Sequence, residues 1–215
     1  MRMLRAEGRR AAPWSNGGGV TREVAVEPPG AGWETFAWRV SLADVTRDGP
    51  YSPLPGVRRI LTVVEGAGLE LTVDGVPRLL PGRHRPFAFP GGATTGSRLL
   101  DGPVVNLNVM LREGRATAAV EVARGSRVVW PDDRGAGKSG AGDGSGGDGG
   151  ADGPDEVLVV AVEGPALITA PGAEEAELAR FDAALLTARD AAAARLRTDG
   201  TAVVIALSTA GSARP

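Results

Sequence analysis

The stretch Trp14-Ser15-Asn16-Gly17-Gly18-Gly19-Val20-Thr21-Arg22-Glu23-Val24-Ala25-Val26 sets the period of the chain. After the glycines, Val20, Arg22, Val24 and Val26 alternate with Thr21, Glu23 and Ala25, and this period of two predicts a β-strand. Three successive glycines carry no Cβ, so the strand is entered through backbone that is free to take positive φ and to let another strand or a ligand approach. Two readings fit these residues. One is a tight turn or bulge feeding a sheet. The other is a site where the amides of Gly17, Gly18 and Gly19 and the side chain of Asn16 meet a small polar ligand beside the indole of Trp14.

Further strands follow at short intervals. Residues 36–42 alternate, with Phe36, Trp38, Val40 and Leu42 on a core side and Arg39 opposite, facing either solvent or a barrel cavity. Residues 59–64 and 69–73 read as two strands joined by a hairpin at Glu65-Gly66-Ala67-Gly68, and Asp74-Gly75 makes the next turn. Residues 86–89, 97–100 and 104–110 continue the pattern, the last with Val105, Leu107 and Val109 set against Asn106, Asn108 and Met110. Short strands at this spacing indicate an all-β sandwich or barrel.

The second half echoes the first. Val63-Val64-Glu65-Gly66-Ala67-Gly68-Leu69 matches Ala161-Val162-Glu163-Gly164-Pro165-Ala166-Leu167, and Pro86-Phe87-Ala88-Phe89 has a counterpart around Arg180-Phe181 at nearly the same offset. The expectation is two small β-barrels related by internal duplication, the second degenerate. Residues 1–131 form the first, and residues 156–215, with a short alanine-rich helix near 187–194, form a second packed on it. Between them, residues 132–155 hold ten glycines, six aspartates and no large apolar side chain. Such a segment cannot bury enough surface to offset the entropy of ordering, and it reads as a disordered insertion.

Composition narrows the function classes. A chain of 215 residues with 32 Gly, 16 Pro and 42% hydrophobic residues suits a globular, turn-rich protein. A formal charge of -2 gives no push towards nucleic acid. No run of about 18 apolar residues is present to span a membrane, and the arginines at 2, 5, 9 and 10 lack the apolar run of a secretory signal. The expectation is a cytoplasmic protein with neither nucleic acid nor membrane as partner. Unclosed sheet edges favour a homodimer.

The chemistry-bearing residues are few. There is no cysteine, and the single histidine, His84, falls in a turn where it reads as an exposed side chain. One imidazole cannot supply a histidine-rich metal set, and no Gly-x-Ser-x-Gly is present, so no metal, cofactor or catalytic residue is assigned. A binding pocket is better supported. Trp14 and Trp38 offer apolar walls, and Asn16, Arg39, Arg59, Asn106 and Asn108 offer sparse polar groups.

Several motifs together resemble one family. Trp14-Ser15-Asn16-Gly17-Gly18-Gly19-Val20-Thr21-Arg22-Glu23 is similar to the N-terminal signature of the HutD/Ves proteins. The likeness continues through Trp38-Arg39-Val40-Ser41-Leu42-Ala43, Asp48-Gly49-Pro50-Tyr51-Ser52, Pro55-Gly56-Val57-Arg58-Arg59-Ile60-Leu61 and Asn106-Leu107-Asn108-Val109-Met110-Leu111-Arg112. The resemblance implies a bicupin fold and a regulatory, ligand-binding role in histidine utilisation. It also carries Arg59, Asn108 and Met110 as site positions. Arginine grips a carboxylate through a two-pronged contact, so Arg59 is the first choice for a ligand contact; the alternative is a structural ion pair. Two positions depart from the family pattern, which has lysine at Ser15 and aspartate at Asn106.

The sequence therefore predicts a non-catalytic bicupin that binds a small carboxylate metabolite of the urocanate or formylglutamate type. Its ligand-binding residues would be Arg59, Trp14, Asn16, Gly17, Gly18, Gly19, Arg39, Asn108 and Met110. An alternative is a metal-independent isomerase or hydrolase with Asn16 or Asn108 as oxyanion donor. A third reading is an interaction protein whose barrel is filled by side chains.

Overall fold

Alternating segments punctuated by glycine fold as strands throughout the computed structural model, which describes residues 1–81, 83–130 and 154–211. The first half runs β1 (Arg2–Leu4), β2 (Ala11–Pro13), β3 (Gly19–Glu27), β4 (Trp38–Val45), β5 (Gly49–Pro50), β6 (Val57–Glu65), β7 (Gly68–Val73), β8 (Val76–Pro81), β9 (Phe87–Pro90), β10 (Thr95–Leu99), β11 (Val104–Arg112) and β12 (Ala116–Val128). After the undescribed segment come β13 (Glu156–Glu163), β14 (Ala166–Thr169), β15 (Ala176–Leu178), β16 (Ala183–Thr187), the helix α1 (Ala188–Ala193) and β17 (Arg195–Thr209). The expected insertion at 132–155 lies outside the described residues apart from Pro154 and Asp155. The all-β expectation holds. The short helix appears where it was expected, with Thr187 Oγ1 accepting from the Asp190 amide at 3.2 Å as its N-cap.

Three sheets form. A six-stranded sheet, ordered β2-β3-β4-β11-β6-β9, faces a four-stranded sheet, β5-β10-β7-β8. A seven-stranded sheet runs β1-β16-β13-β17-β14-β15, with β12 also paired to β17. The sheets interleave the chain, since β1 and β12 precede the undescribed segment yet pair with β16 and β17.

The core explains why the second half reads as continuous apolar runs. Leu158, Val160, Val162, Val203, Ile205 and Leu207 pack against Val40, Leu42, Ile60, Leu107 and Val109 of the six-stranded sheet. Their neighbours Val157, Val159, Ala161, Ala202 and Val204 turn to the opposite face, where Ile168, Leu178, Leu186 and Leu196 fill the interior. A sheet buried on both faces needs apolar residues at every position. Trp38, expected as a cavity wall, is 1% exposed and belongs to the core between the sheets, because its strand alternates it away from the cavity.

Two local expectations are corrected. Val20, Arg22, Val24 and Val26 do not share one side of β3. The register shifts between Glu23 and Ala25, a bulge that gives the strand an extra residue at Val24 and reverses the alternation beyond it. Glu65-Gly66-Ala67-Gly68 is a corner rather than a hairpin, since β6 pairs with β11 and β9 while β7 pairs with β10 and β8. The nearby hairpin is at Asp74-Gly75, where both residues have positive φ and Val73 pairs with Val76.

The echo in sequence has a counterpart in register. Glu70 pairs with Arg98 and Leu69 with Leu99, and at a constant offset Ile168 pairs with Leu196 and Leu167 with Arg197. The shift in pairing that skips Val64 opposite β11 recurs as the one that skips Val162 opposite β17. The amides of His84 and Phe181, both at positive φ, donate to the carbonyls of Val63 and Ala161.

Candidate functional site

A cavity of about 490 Å³ opens in the first half, lined by residues of β2, β3, β4, β6 and β11 and by the loops around Trp14, Trp33 and Tyr51. Register decides which side chains can reach it. Arg59 pairs with Met110 and Phe89, and Met110 with Arg39, so one row crosses the sheet on a single face. The next row on that face runs Glu23, Ser41, Asn108, Leu61 and Phe87. The alternation that sends Leu107 and Val109 into the core between the sheets turns Asn106, Asn108 and Met110 the other way.

Arg59 has an unusual environment. The residue is 7% exposed, and no carboxylate lies within ion-pairing distance of it among the described residues. Its guanidinium sits 4.9 Å from the ring centre of Tyr51 and 5.3 Å from that of Phe89. One terminal nitrogen reaches Asn108 Oδ1 at 3.5 Å, and Nε is buried without a partner. Burial lowers the Arg59 pKa, with Tyr51 opposing the shift, yet a guanidinium remains charged at neutral pH. Two π faces return about 0.5–2 kcal/mol each to such a cation, less than the several kcal/mol of its desolvation. Among the described residues, the structural ion pair that was the alternative for Arg59 is not formed.

The remaining walls are aromatic and weakly polar. The Tyr51 pKa is raised by burial, with Arg59 opposing, so its hydroxyl is neutral and accepts from Asn106 Nδ2 at 3.3 Å. Trp14 packs edge-on to Tyr51 at 6.2 Å between ring centres and donates its Nε1–H to Thr21 Oγ1 at 2.8 Å. Ser41 is 1% exposed and lines the same space.

Of the residues expected at the site, Arg59, Trp14, Asn16, Asn108 and Met110 line this cavity. Gly17, Gly18 and Gly19 are not among its lining residues. Asn16 Oδ1 accepts from the Gly18 amide at 2.9 Å, and Arg47 donates to the Gly17 carbonyl. A Cβ on Gly19 would stand 2.1 Å from the Asp44 carbonyl oxygen, so this glycine serves the approach of β3 to β4. Arg39 does not line the cavity either: it pairs with Glu23 at 2.8 Å and lies over the Trp33 ring at 4.4 Å.

Sequence reasoning missed Tyr51, Trp33, Ser41 and Thr21. Tyr51 is the one tyrosine of the chain and stands in a motif already singled out, which was the available signal. Thr21 and Ser41 likewise stand in quoted motifs, whereas Trp33 gave no signal. The two departures sit apart in role: Ser15 lines the cavity, whereas Asn106 is fully buried beside Tyr51, and no hydrogen bond joins them.

His84 is corrected. Its side chain is 5% exposed, with Nδ1 3.2 Å from an Arg124 nitrogen and Nε2 4.0 Å from Glu163 Oε2. The turn bearing it is covered by the second half of the chain. Among the described residues, no group of three or more His, Cys, Asp or Glu could hold a metal ion, and no helix is long and apolar enough to cross a membrane.

The HutD family model matches residues 6–134. The chain is 37% identical over 123 residues to an uncharacterised 21.2 kDa protein in the hutC 3' region of Pseudomonas putida, covering 56% of this chain and 63% of that protein. It is 38% identical over 113 residues to protein Ves of Citrobacter koseri, covering 51% of this chain and 57% of that one. The match thus spans less than two thirds of the length of these curated relatives. The structure of HutD from Pseudomonas fluorescens SBW25, in a formate condition, superposes with a TM-score of 0.73 at 28% identity over 98% of this chain and 99% of that one. A cupin 2 conserved barrel domain protein from Leptotrichia buccalis shares the fold alone, with a TM-score of 0.52 at 9% identity over 94% of this chain and 99% of that one.

Proposed function

This chain belongs to the HutD family, and on that premise we propose that it is a bicupin that binds a small carboxylate and regulates or senses histidine utilisation without catalysing a step. The ligand is of the urocanate or formylglutamate type. Arg59 carries the reading: a buried guanidinium with no carboxylate partner among the described residues, 4.9 and 5.3 Å from two aromatic ring centres and lining a cavity, is what an incoming carboxylate would complete. Each charge-assisted hydrogen bond to a carboxylate there contributes about 1.5–3 kcal/mol.

The lining also favours binding over turnover. Its titratable side chains are Tyr51 and Arg59, and neither changes charge near neutral pH, so a general acid or base is not at hand among the described lining residues. The relatives called HutD, and the one described by its place beside hutC, supply the association with histidine utilisation.

The bicupin reading is supported by the pairings that recur at an offset of 98 residues (Leu69 with Leu99, Leu167 with Arg197) and by the bulge that recurs at Val64 and Val162. On that correspondence Val157 stands where the first half has Arg59. The second half, packed with alanine, valine and leucine, keeps no such polar floor.

A thermal-shift screen of the whole protein against urocanate, formylglutamate, glutamate and formate tests the reading. A selective rise in Tm for the wild type, lost in Arg59→Met, is the expected result, since a ligand that binds only the native state stabilises it. An equal shift in the variant would remove Arg59 from the site.

A further inference from the structure

Resting on the carboxylate reading above, we propose that this cavity selects carboxylates that bear no ammonium group, that is, acids whose amine has been eliminated or acylated, and rejects the parent amino acids. The argument is one of charge inventory. Sixteen residues line the cavity, and none is Asp or Glu. The nearby acids on β3 and β4 are committed: Glu23 pairs with Arg39 at 2.8 Å, and Asp44 with Arg22 at 2.5 Å.

A monocarboxylate entering the cavity neutralises Arg59. A monocarboxylate amino acid such as histidine brings its own cation, so the occupied cavity keeps one net positive charge with two like charges close together, whereas glutamate, with two carboxylates, brings the sum to zero and is disfavoured through its ammonium's want of an acidic partner. The ammonium would also need acceptors for its three hydrogens. Those on offer are neutral and few. Thr21 Oγ1 already accepts from Trp14 Nε1, and Asn108 Oδ1 already faces Arg59. Ser15, Ser41 and Ser52 remain, as neutral hydroxyls with no carboxylate among them. An N-acyl group removes the charge, and an apolar or conjugated carbon skeleton finds the walls of Trp14, Trp33, Tyr51 and Met110.

This discrimination is built from what the site lacks for the wrong ligand as much as from what it holds for the right one. In a reaction sequence, such a site reports a step after ammonia has been eliminated from, or an acyl group placed on, an amino acid.

Calorimetric titration of the whole protein at pH 7.5 with two matched pairs tests it: urocanate against histidine, and N-formylglutamate against glutamate. The expected result is that at least one member lacking the ammonium binds, and that its partner binds at least tenfold more weakly. N-acetylhistidine should recover affinity lost by histidine. Equal affinity within the pairs would overturn the selection while leaving the carboxylate reading in place. Loss of affinity in every compound tested would overturn both. Tighter binding of the amino acids would mean that an acidic group reaches the ligand.

Discussion

Arg59 is held at a cost to the fold. A buried, unpaired cation is more expensive than an apolar side chain of similar length, and replacing buried charge with a hydrophobic residue is often neutral or stabilising. Arg59→Met should therefore keep or raise the melting temperature while carboxylate affinity falls at least tenfold. A drop of several degrees would instead make Arg59 part of the scaffold. His84 gives the opposite kind of residue, one that serves the join between halves. Burial lowers its pKa, with Glu163 opposing and Arg124 and Arg83 adding to the shift. The folded form thus binds a proton less readily than the unfolded chain, whose imidazole titrates at about 6.5. Stability from this group is complete above that value and is lost as pH falls through it towards the lower folded pKa. Thermal unfolding followed from pH 7.5 to 5.5 should show a falling Tm in the wild type and a flatter profile in His84→Gln. The turn residues around His84 gave no hint of the second half that covers it.

Alternation tells an observer that a strand exists, but a bulge changes which face each residue takes. In β11 the pattern of Asn106, Asn108 and Met110 against Leu107 and Val109 could be read directly, while Asn108 and Met110 came to the site through the motif and line the cavity. In β3 the same reasoning fails beyond Val24, because the extra residue is a matter of pairing with β4 and not of composition. Arg59 was legible through a motif, Tyr51 only as a lone aromatic in a loop, and Trp33 not at all, since its place depends on how the connection from β3 to β4 folds over the cavity. The long β12 pairs along β17 and gave no strong period of its own. The glycine triplet shows the same limit: three glycines admit a turn, a ligand or a close strand, and only the partner backbone decides. Gly19→Ala is expected to force β3 away from the Asp44 carbonyl and to lower stability by about 1–3 kcal/mol, as overpacking does. Denaturant unfolding measures this, and a variant as stable as the wild type would show that the two strands can part without loss.

The two halves hold each other through contacts that mirror one another. Arg83 of the first half pairs with Glu163 of the second at 2.6 Å, and Arg180 of the second pairs with Glu65 of the first. These are corresponding residues in the two copies of the echo, so each half offers the other the same pair. The ion pairs are half exposed and add little energy singly, on the order of 0–1 kcal/mol. The larger contribution comes from the core between them, where Leu158, Val160, Val203 and Ile205 meet Val40, Leu42, Leu107 and Val109. Because neither sheet can leave this face without exposing it, the halves should unfold together. Calorimetry of the whole chain should give one transition whose calorimetric and van't Hoff enthalpies agree. Leu158→Ala, which empties space at that shared face, should move the transition down by the equivalent of about 2–5 kcal/mol without splitting it. Two resolved transitions, with only the later one responding to the substitution, would show that the first half and its cavity stand without the second.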